Sequence, residues 1–459
     1  MGVSIKKRSW GHGWRSSKKF ILVAVATTIL TDMFLHNFLV SILPSMLEDR
    51  VRLDPQLQQN ATLALLAEGA LVSFLVSPFV HHHAHRLQND NWLLGGLVSE
   101  LLGSVIIAYA DSLPLLFAGR FVQAVANTSV GILGISSLSR KVPSDQLHKV
   151  YGIVNLSLAV GTTCGPLIAG TLLQLAGYWR AWCCAFIASL FGIGVQCLMV
   201  DTPLHVDGQL MPTDECAEAA DEESPLLTTP LTEGSAKSQG LLLPRKSDID
   251  LYICLFTNGR YIGGTVSSLC NAVVSSSTST TLPLHVRRVL NCGSLSTGLL
   301  FAALHGPNVV LGVPVAWLKK RIGTRHPTSI GFAALAIMLW LMGIQNRDLF
   351  MYVASVMGAG IAMSLLNGVG MMEATHAVYE LQEEHPETFG SGIGYTRAVF
   401  VTHMSCVLGA FLGPIVSGLS ERTGYYAMNC VLAGMCALCS LFAFWNLKST
   451  LRRPVLVKK

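Results

Sequence analysis

The stretch GTTCGPLIAG at residues 161–170 returns as GAFLGPIVSG at residues 409–418, and this repeat decides the fold expected for the chain. Both copies follow the pattern G-x-x-x-G-P-x-x-x-G. Glycines four residues apart lie on one face of a membrane helix and allow a neighbouring backbone to approach closely. A proline in such a helix permits a kink where neighbouring groups satisfy the freed carbonyl. A kinked, closely packed helix at matching positions predicts two similar helical bundles.

The repeat supplies a first set of candidate residues, those expected to kink and pack the two helices. Helix packing without any functional motion is the alternative interpretation of either copy alone. The residues are Gly161, Gly165, Pro166, Gly170, Gly409, Gly413, Pro414 and Gly418.

Composition places both bundles in a membrane. Of the residues, 51% are hydrophobic and 13% are charged, about half the ~25% charged content of a soluble domain. A helix needs ~20 mostly apolar residues to cross the hydrocarbon core, and twelve such stretches are present. They are residues 20–43, 61–80, 92–110, 113–137, 150–176, 181–200, 251–274, 295–318, 328–344, 349–372, 396–419 and 425–447. The seventh is the least apolar, because it contains Arg260 and runs into the polar string at 275–281.

Charge gives the expected orientation. With twelve spans, 22 of the 32 Lys and Arg residues fall on the side that holds both chain ends, which the positive-inside rule assigns to the cytoplasm. The net positive charge of the chain then reflects its membrane topology, and no nucleic-acid partner is implied. The domains expected are a basic tail (1–19), a six-helix bundle (20–200), a flexible cytoplasmic linker (201–249), a second six-helix bundle (250–447) and a basic tail (448–459).

Several other classes of function find no support in the residue patterns. The twelve cysteines lie mostly in apolar stretches without metal-ligand spacing, so they predict neither a metal site nor a disulfide framework. No phosphate-binding loop, catalytic triad or zinc pattern is present, so no enzyme, cofactor or ATP-driven pump is indicated. An acidic dileucine pattern at 222–227 is compatible with vacuolar or lysosomal sorting, and with a plain linker.

The chain resembles the major facilitator superfamily, in the twelve-span drug:proton antiporter branch that includes the vesicular amine transporters. The segment around Gly165-Pro166 is similar to that branch's fifth-helix antiporter motif, and residues 119–124 (GRFVQA) are similar to its fourth-helix pattern, with Ala124 in place of glycine. Asp32-Met33 followed by Pro44 matches the vesicular amine transporters at equal spacing. The resemblance implies an all-α major facilitator fold of two six-helix bundles, with export by exchange for protons.

Departures from the family pattern are equally informative. The loops that usually contain gate aspartates have His85 and Lys320 at those positions, while the basic or glycine positions keep Arg86, Arg321 and Gly323. The usual inner-gate ion pairs are therefore in doubt. Where the amine transporters have a second-span lysine and two later aspartates, this chain has Gly69 beside Glu68, then Glu380 and His403. Amine specificity is accordingly not implied.

Polar residues inside spans supply the functional candidates, because an ionisable group in lipid costs several kcal/mol and should face a cavity or a partner. Asp32 and His36 are four residues apart and share one helical face, which suits proton coupling or binding of a cationic substrate; a structural polar pair is the alternative. Arg120 must find an acid or backbone carbonyls. The resemblance implies that it belongs to the proton-relay region, and an ion pair for packing is its alternative role. The full set of candidates is Asp32, His36, Asn37, Arg120, Gln123, Glu373 and His403.

The function expected is secondary transport, as proton-coupled antiport of a small amphipathic or cationic organic molecule by alternating access. The partners are that molecule, the proton and the bilayer, and a monomer in a plasma, vacuolar or vesicular membrane is expected. An uncoupled facilitator and a transporter-like sensor or interaction protein that no longer transports are the alternatives. The missing gate acids motivate the latter.

Overall fold

The computed structural model describes residues 17–83, 90–141, 147–199, 248–289, 293–344, 349–384 and 393–448. Within these ranges nearly all residues are helical. The helices are α1 Lys18–Ser45, α2 Pro55–His83, α3 Asp90–Tyr109, α4 Leu113–Lys141, α5 Leu147–Ala176, α6 Tyr178–Leu198, α7 Asp248–Thr257, α8 Gly259–Arg288, α9 Ser294–Ile322, α10 Arg325–Ile344, α11 Leu349–Leu366, α12 Val369–Glu384, α13 Ile393–Ser417, α14 Leu419–Thr423 and α15 Tyr425–Asn446, with a π turn at Met46–Arg50.

Eleven spans in the described ranges are long and apolar enough to cross a membrane, with α11 and α12 together forming one of them. The twelfth long helix is α8, which is polar because it contains the run of Ser and Thr at 275–281. Hydroxyl groups of that run are satisfied by the neighbouring α13: Ser276 Oγ donates to Ala410 O at 2.8 Å, and Ser277 Oγ to Gly413 O at 2.8 Å. A polar helix is thus accommodated without leaving these donors unpaired.

The two halves repeat the same packing. In the N-terminal half (α1–α6), α1 packs against α5 and α3 against α4; in the C-terminal half (α8–α15), α8 packs against α13 and α10 against α11. The halves meet where α5 contacts α9 and α13 contacts α2. These paired contacts confirm the predicted fold of two helical bundles.

The repeated glycines explain how these helices approach each other. A Cβ atom on Gly165 would lie 2.6 Å from the carbonyl oxygen of Phe34 in α1. At the matching position of the other half, a Cβ atom on Gly413 would lie 2.5 Å from Cβ of Ser276 in α8. Any side chain at either position would force the helices apart, so glycine permits the same α1–α5 and α8–α13 contact twice.

The first glycine of each motif faces the same partner helix as the second, one turn earlier, whereas the last glycine of the first motif faces another helix. Gly161 packs against the α1 backbone at Leu30, and Gly409 against the α8 backbone at Leu269. Gly170 instead faces the other half, against the backbone of Ser294 in α9. The motif therefore packs a helix within its own half and, in the first copy, against the opposite half. Helices α5 and α13 continue through Pro166 and Pro414.

Two helix boundaries correct the spans predicted from sequence. The seventh span was expected at 251–274, but the helix breaks at Asn258, whose side chain accepts hydrogen bonds from the backbone N–H groups of Arg260 and Tyr261. This cap ends α7 and starts α8, which then extends to Arg288. The tenth span, expected at 349–372, breaks at Asn367 and Gly368 and continues as α12, because Gly368 adopts a positive φ of 73° that glycine tolerates.

We name the membrane side where α1 begins and α15 ends the terminal face, and the other side the opposite face. At the opposite face the halves are held together by polar contacts. Arg287 at the end of α8 forms an ion pair with Glu48 of the π turn, and Gln59 Nε2 donates to Ser420 Oγ at 2.9 Å. The backbone N–H of Leu295 donates to Gln174 Oε1 at 2.8 Å. The structure is thus closed between the halves on this face.

Candidate functional site

A cluster of ionisable side chains lies at mid-membrane inside the N-terminal half. Asp32, halfway along α1, is fully buried, and its Oδ2 accepts a hydrogen bond from Asn127 Nδ2 of α4 at 3.0 Å. The carboxyl group of Glu100, fully buried on α3, is an electrostatic neighbour of Asp32. Two buried carboxylates that interact repel each other, which favours a proton on one of the two groups.

Arg120 of α4 is the one guanidinium of this cluster. Its Nη1 donates to Gln123 Oε1 at 2.7 Å, and its Nη2 lies 3.3 Å from His36 Nε2 of α1. The charges of Glu68 on α2 and of Glu100 act on it from two sides. A Cβ atom on Gly69 would lie 3.0 Å from Arg120 Nε, so the absence of a side chain there leaves room for the guanidinium.

We call Asp32, His36, Glu68, Glu100 and Arg120 the acid-rich cluster. The cluster contains three carboxyl groups and a single guanidinium, and many of its polar atoms are unpaired. Five buried carboxyl or guanidinium atoms of the cluster have no hydrogen-bond partner among the described residues: Asp32 Oδ1, both Glu100 carboxyl oxygens, Glu68 Oε2 and Arg120 Nε. Buried polar groups normally have hydrogen-bond partners. An excess of acids whose oxygens lack partners therefore indicates a site that takes up positive charge.

Four of the residues predicted from sequence meet here: Asp32, His36, Arg120 and Gln123. Asn37 does not, because its Nδ2 donates to Met33 O at 2.8 Å on the side of α1 that packs against α5. Sequence reasoning missed Glu100 and Asn127, and treated Glu68 only as a departure from a family pattern. The cost of an acid in the middle of a span, the argument that selected Asp32, applies equally to Glu100.

Glu373 belongs to a second cluster, at the terminal-face end of the C-terminal half. It forms an ion pair with Arg260 near the start of α8 and accepts a hydrogen bond from Thr324. Arg260 Nη1 also bonds Glu380 Oε1 at 2.7 Å, and Lys448 Nζ bonds Glu380 Oε2 at 2.9 Å. We call Arg260, Glu373, Glu380 and Lys448, with Lys319, the paired cluster.

Lys319 completes the paired cluster from α9. Its side chain is fully buried, Nζ donates to Asn367 O at 2.6 Å, and Glu373 acts on its charge. The predicted gate residue Lys320 is exposed. A one-residue difference on a helix moves a side chain by about 100°, which separates these two lysines.

The other predicted gate-loop residues fall in several places. His85 and Arg86 lie outside the described residues. Arg321 is exposed and stacks over the Trp317 ring, with Cζ 4.1 Å from the ring centroid. Gly323 ends α9 with a positive φ of 82°, a conformation that favours glycine.

His403 also lies away from the acid-rich cluster. It is on α13, one turn beyond Phe400, whose ring stacks on that of His81 of α2 with centroids 4.2 Å apart. His403 thus lies on α13 near the place where that helix contacts α2 of the other half.

A polar cavity of about 180 Å³ lies between the halves. Helix α5 contributes Leu158, Ala159 and Thr162, together with Asn155. From the C-terminal half come His305 and Asn308 of α9, and Asn367 at the break between α11 and α12. Among the described residues, no group of three or more His, Cys, Asp or Glu side chains is arranged to hold a metal ion.

Membrane-spanning helices in two pseudo-symmetric bundles, with a polar cavity between them, define the class of polytopic transporters. A family model described as Major Facilitator Superfamily matches residues 24–379. The chain belongs to this superfamily, and it is a membrane transporter and not an enzyme.

Relatives and solved structures agree with this assignment. The chain is 26% identical to an MFS-type transporter of Schizosaccharomyces pombe, over 94% of this chain and 96% of the relative. It is 25% identical to the vesicular acetylcholine transporter of Torpedo marmorata, over 41% of this chain and 42% of the relative.

Two solved transporters share the fold. A bacterial homologue of the human lysosomal transporter Spinster, in an inward-facing and unoccupied conformation, superposes with a TM-score of 0.64 at 12% identity, over 93% of this chain and 96% of that chain. A peptide transporter gives a TM-score of 0.66 at 13% identity, over 92% and 93%.

Proposed function

We propose that this transporter is a proton-coupled antiporter of a small amphipathic or cationic organic molecule. The observation that carries the proposal is the acid-rich cluster, which contains three carboxyl groups and one guanidinium at mid-membrane, with carboxyl oxygens left unpaired. An excess of buried acid holds a transferable proton more readily than a balanced ion pair does, because repulsion between adjacent carboxylates is relieved by one proton.

In the proposed cycle, the proton is shared by Asp32 and Glu100, two fully buried carboxyl groups that act on each other electrostatically. When it leaves, the added negative charge attracts Arg120, which in the present state contacts His36 and Gln123. These residues lie on three different helices, so a shift of the guanidinium changes the packing of α1, α3 and α4. Such a shift can link proton release to the relative movement of the two halves.

The terminal face is proposed to be cytoplasmic, from the distribution of Lys and Arg, and the protein is proposed to work as a monomer in a plasma, vacuolar or vesicular membrane. Acetylcholine, the compound in the name of one relative, is a suitable first cationic probe. It is not singled out by any residue of this chain.

The test is uptake into proteoliposomes whose interior is more acidic by two pH units, with the membrane potential clamped. Radiolabelled acetylcholine, 1-methylnicotinamide and nicotinamide, and the amphipathic dye rhodamine 6G, serve as probes. One-for-one exchange would concentrate a transported probe up to about a hundredfold, since a tenfold ratio corresponds to one pH unit. Asp32→Asn is expected to reduce the ratio to about one, and Glu383→Gln, an exposed acid at the end of α12, is the matched control.

Each other outcome has a defined meaning. Transport that persists in Asp32→Asn and ignores the pH gradient contradicts proton antiport and indicates an uncoupled facilitator. Binding of probes without any uptake indicates a sensor or interaction protein.

A further inference from the structure

The cavity between the halves has a chemistry unlike that of the acid-rich cluster. The described residues that line it carry no formal charge apart from the titratable His305 imidazole. Three carboxamides, from Asn155, Asn308 and Asn367, supply both hydrogen-bond donors and acceptors to the same space. At about 180 Å³ the cavity is smaller than the ~300–1,000 Å³ of pockets that enclose a drug-sized ligand, so it fits a polar head group.

One wall of this cavity is a helix break. Asn367 and Gly368 separate α11 from α12, and Gly368 has a positive φ of 73°. Asn367 Nδ2 donates to Asn308 Oδ1 at 3.0 Å, which joins the two C-terminal walls. Lys319 Nζ donates a hydrogen bond to the carbonyl oxygen of Asn367 at 2.6 Å, which supports the broken backbone. Non-helical backbone within a membrane is tolerated where it is supported by protein or lines a cavity, and both conditions hold here.

Helix α1 separates this cavity from the acid-rich cluster. Gly161, next to the cavity-lining Thr162, packs against Leu30 and Met33 of α1. Asp32 lies between those two residues in sequence but points toward α4, where Asn127 donates a hydrogen bond to it. Helix α1 thus lies between helix α5, which lines the cavity, and the acid-rich cluster.

We propose that the cavity between the halves binds an uncharged, hydrogen-bonding group of the transported molecule, such as a carboxamide or a hydroxyl group, and that the proton is held separately on the other side of α1. This inference rests on the proposed function and narrows its substrate class from cationic or amphipathic to uncharged and amphipathic. A cation would find no carboxylate in the cavity, and burying a charge without a partner is costly. A carboxamide or hydroxyl can pair with the asparagine side chains.

The experiment measures binding to the purified full-length protein by thermal shift and by competition with a radiolabelled probe. The probes are nicotinamide and 1-methylnicotinamide, which share a carboxamide and a ring and differ in one fixed positive charge. Acetamide and benzyl alcohol extend the uncharged set. Wild-type protein is expected to bind uncharged probes at least about tenfold more tightly than the cation, the ratio expected for one hydrogen-bonding or charge mismatch.

Cavity variants assign the binding to this place. Asn308→Ala is expected to weaken nicotinamide binding about tenfold, because one carboxamide pair is lost. Asn155→Ala, which leaves the Asn308–Asn367 hydrogen bond in place, provides a second variant if the first is poorly folded. Asn446→Ala, whose amide bonds only Phe442 O of its own helix at 3.0 Å, is the matched control.

A charge introduced by Asn308→Asp gives the sharpest test. The carboxylate is expected to reverse the preference, so that 1-methylnicotinamide binds more tightly than nicotinamide. Unchanged preference in this variant, or tighter binding of the cation by wild-type protein, would overturn the inference, as would the absence of binding by every uncharged probe.

The proposed function and this inference can fail separately. Uncharged probes that bind in the cavity, without uptake driven by a pH gradient, support the inference and contradict proton antiport. Cation uptake that depends on Asp32 and the pH gradient but ignores the cavity variants supports proton antiport and contradicts the inference.

Discussion

The acid-rich cluster and the paired cluster occupy corresponding helices of the two halves, yet they differ in how their charges are compensated. Asp32 and Arg120 lie on the first and fourth spans of the N-terminal half, and Arg260 and Glu373 on the first and fourth spans of the C-terminal half. In the N-terminal half, acids outnumber the guanidinium and carboxyl oxygens remain unpaired.

In the paired cluster, both glutamates are compensated. Glu373 contacts Arg260 and Thr324, and Glu380 contacts Arg260 and Lys448. A hydrogen-bonded ion network in which every acid has a basic partner stabilises one arrangement, whereas an excess of buried acid changes its charge when a proton arrives. The comparison indicates that the superfamily's repeated architecture allows one half to be specialised for charge transfer and the other for support.

The largest effect is expected from Glu100→Gln, which removes one of the two fully buried carboxyl groups that are proposed to share the proton. Accumulation driven by two pH units should fall from about a hundredfold to about one, since the proton has no shared site. Uptake in proteoliposomes measures it. An unchanged accumulation ratio would show that Glu100 is a passive neighbour, and would break the distinction between the two clusters.

The next largest effect is expected from Arg120→Gln on stability. The buried Glu100 and the partly buried Glu68 lose the guanidinium that acts on them, and removing one partner of a buried ionic network costs about 3–5 kcal/mol. Thermal unfolding in detergent measures the loss. Combining the change with Glu68→Gln should recover part of the stability, because one uncompensated acid is removed; a double variant less stable than the single one argues against charge imbalance as the cause.

The paired cluster should respond differently to single and double changes. Arg260→Met alone leaves Glu373 buried without its guanidinium and should destabilise by about 3–5 kcal/mol, while Arg260→Met with Glu373→Leu should cost much less. The accumulation ratio of the folded double variant should match that of wild type. A double variant that folds normally but loses proton-driven accumulation would show that the paired cluster also carries protons.

The smallest effect is expected from Lys448→Ala. The lysine side chain is 55% exposed, and exposed ion pairs contribute about 0–1 kcal/mol. Thermal unfolding at low and high salt measures the change, which should shrink as salt screens the pair. A loss of several kcal/mol would mean that the tail helps to hold the cluster.

The two-bundle fold could be predicted from the sequence. The repeated Gly-Pro stretch indicates close helix packing in each half, and the apolar spans indicate a membrane environment. The helix breaks could not be predicted, since Asn258 and Asn367 look like ordinary polar residues until their caps and neighbours are seen.

In the candidate site, Asp32, His36 and Arg120 could be predicted from the cost of charge in lipid, and Glu100 could have been found by the same argument. The separation of Glu373 and His403 from this site could not. This separation depends on the depth and rotational orientation of helices that are far apart in sequence. The buried position of Lys319 instead of Lys320 depends on helix rotation, which the sequence pattern of a loop motif does not define.

The number of protons exchanged per transported molecule tests the central claim most directly. A pH-sensitive dye inside proteoliposomes and a radiolabelled probe taken up by wild type would be followed together, in wild type, Asp32→Asn and the Arg260→Met, Glu373→Leu variant. The account predicts one proton per molecule in wild type and in the paired-cluster variant, and none in Asp32→Asn. Proton exchange that survives in Asp32→Asn and disappears in the paired-cluster variant would contradict it.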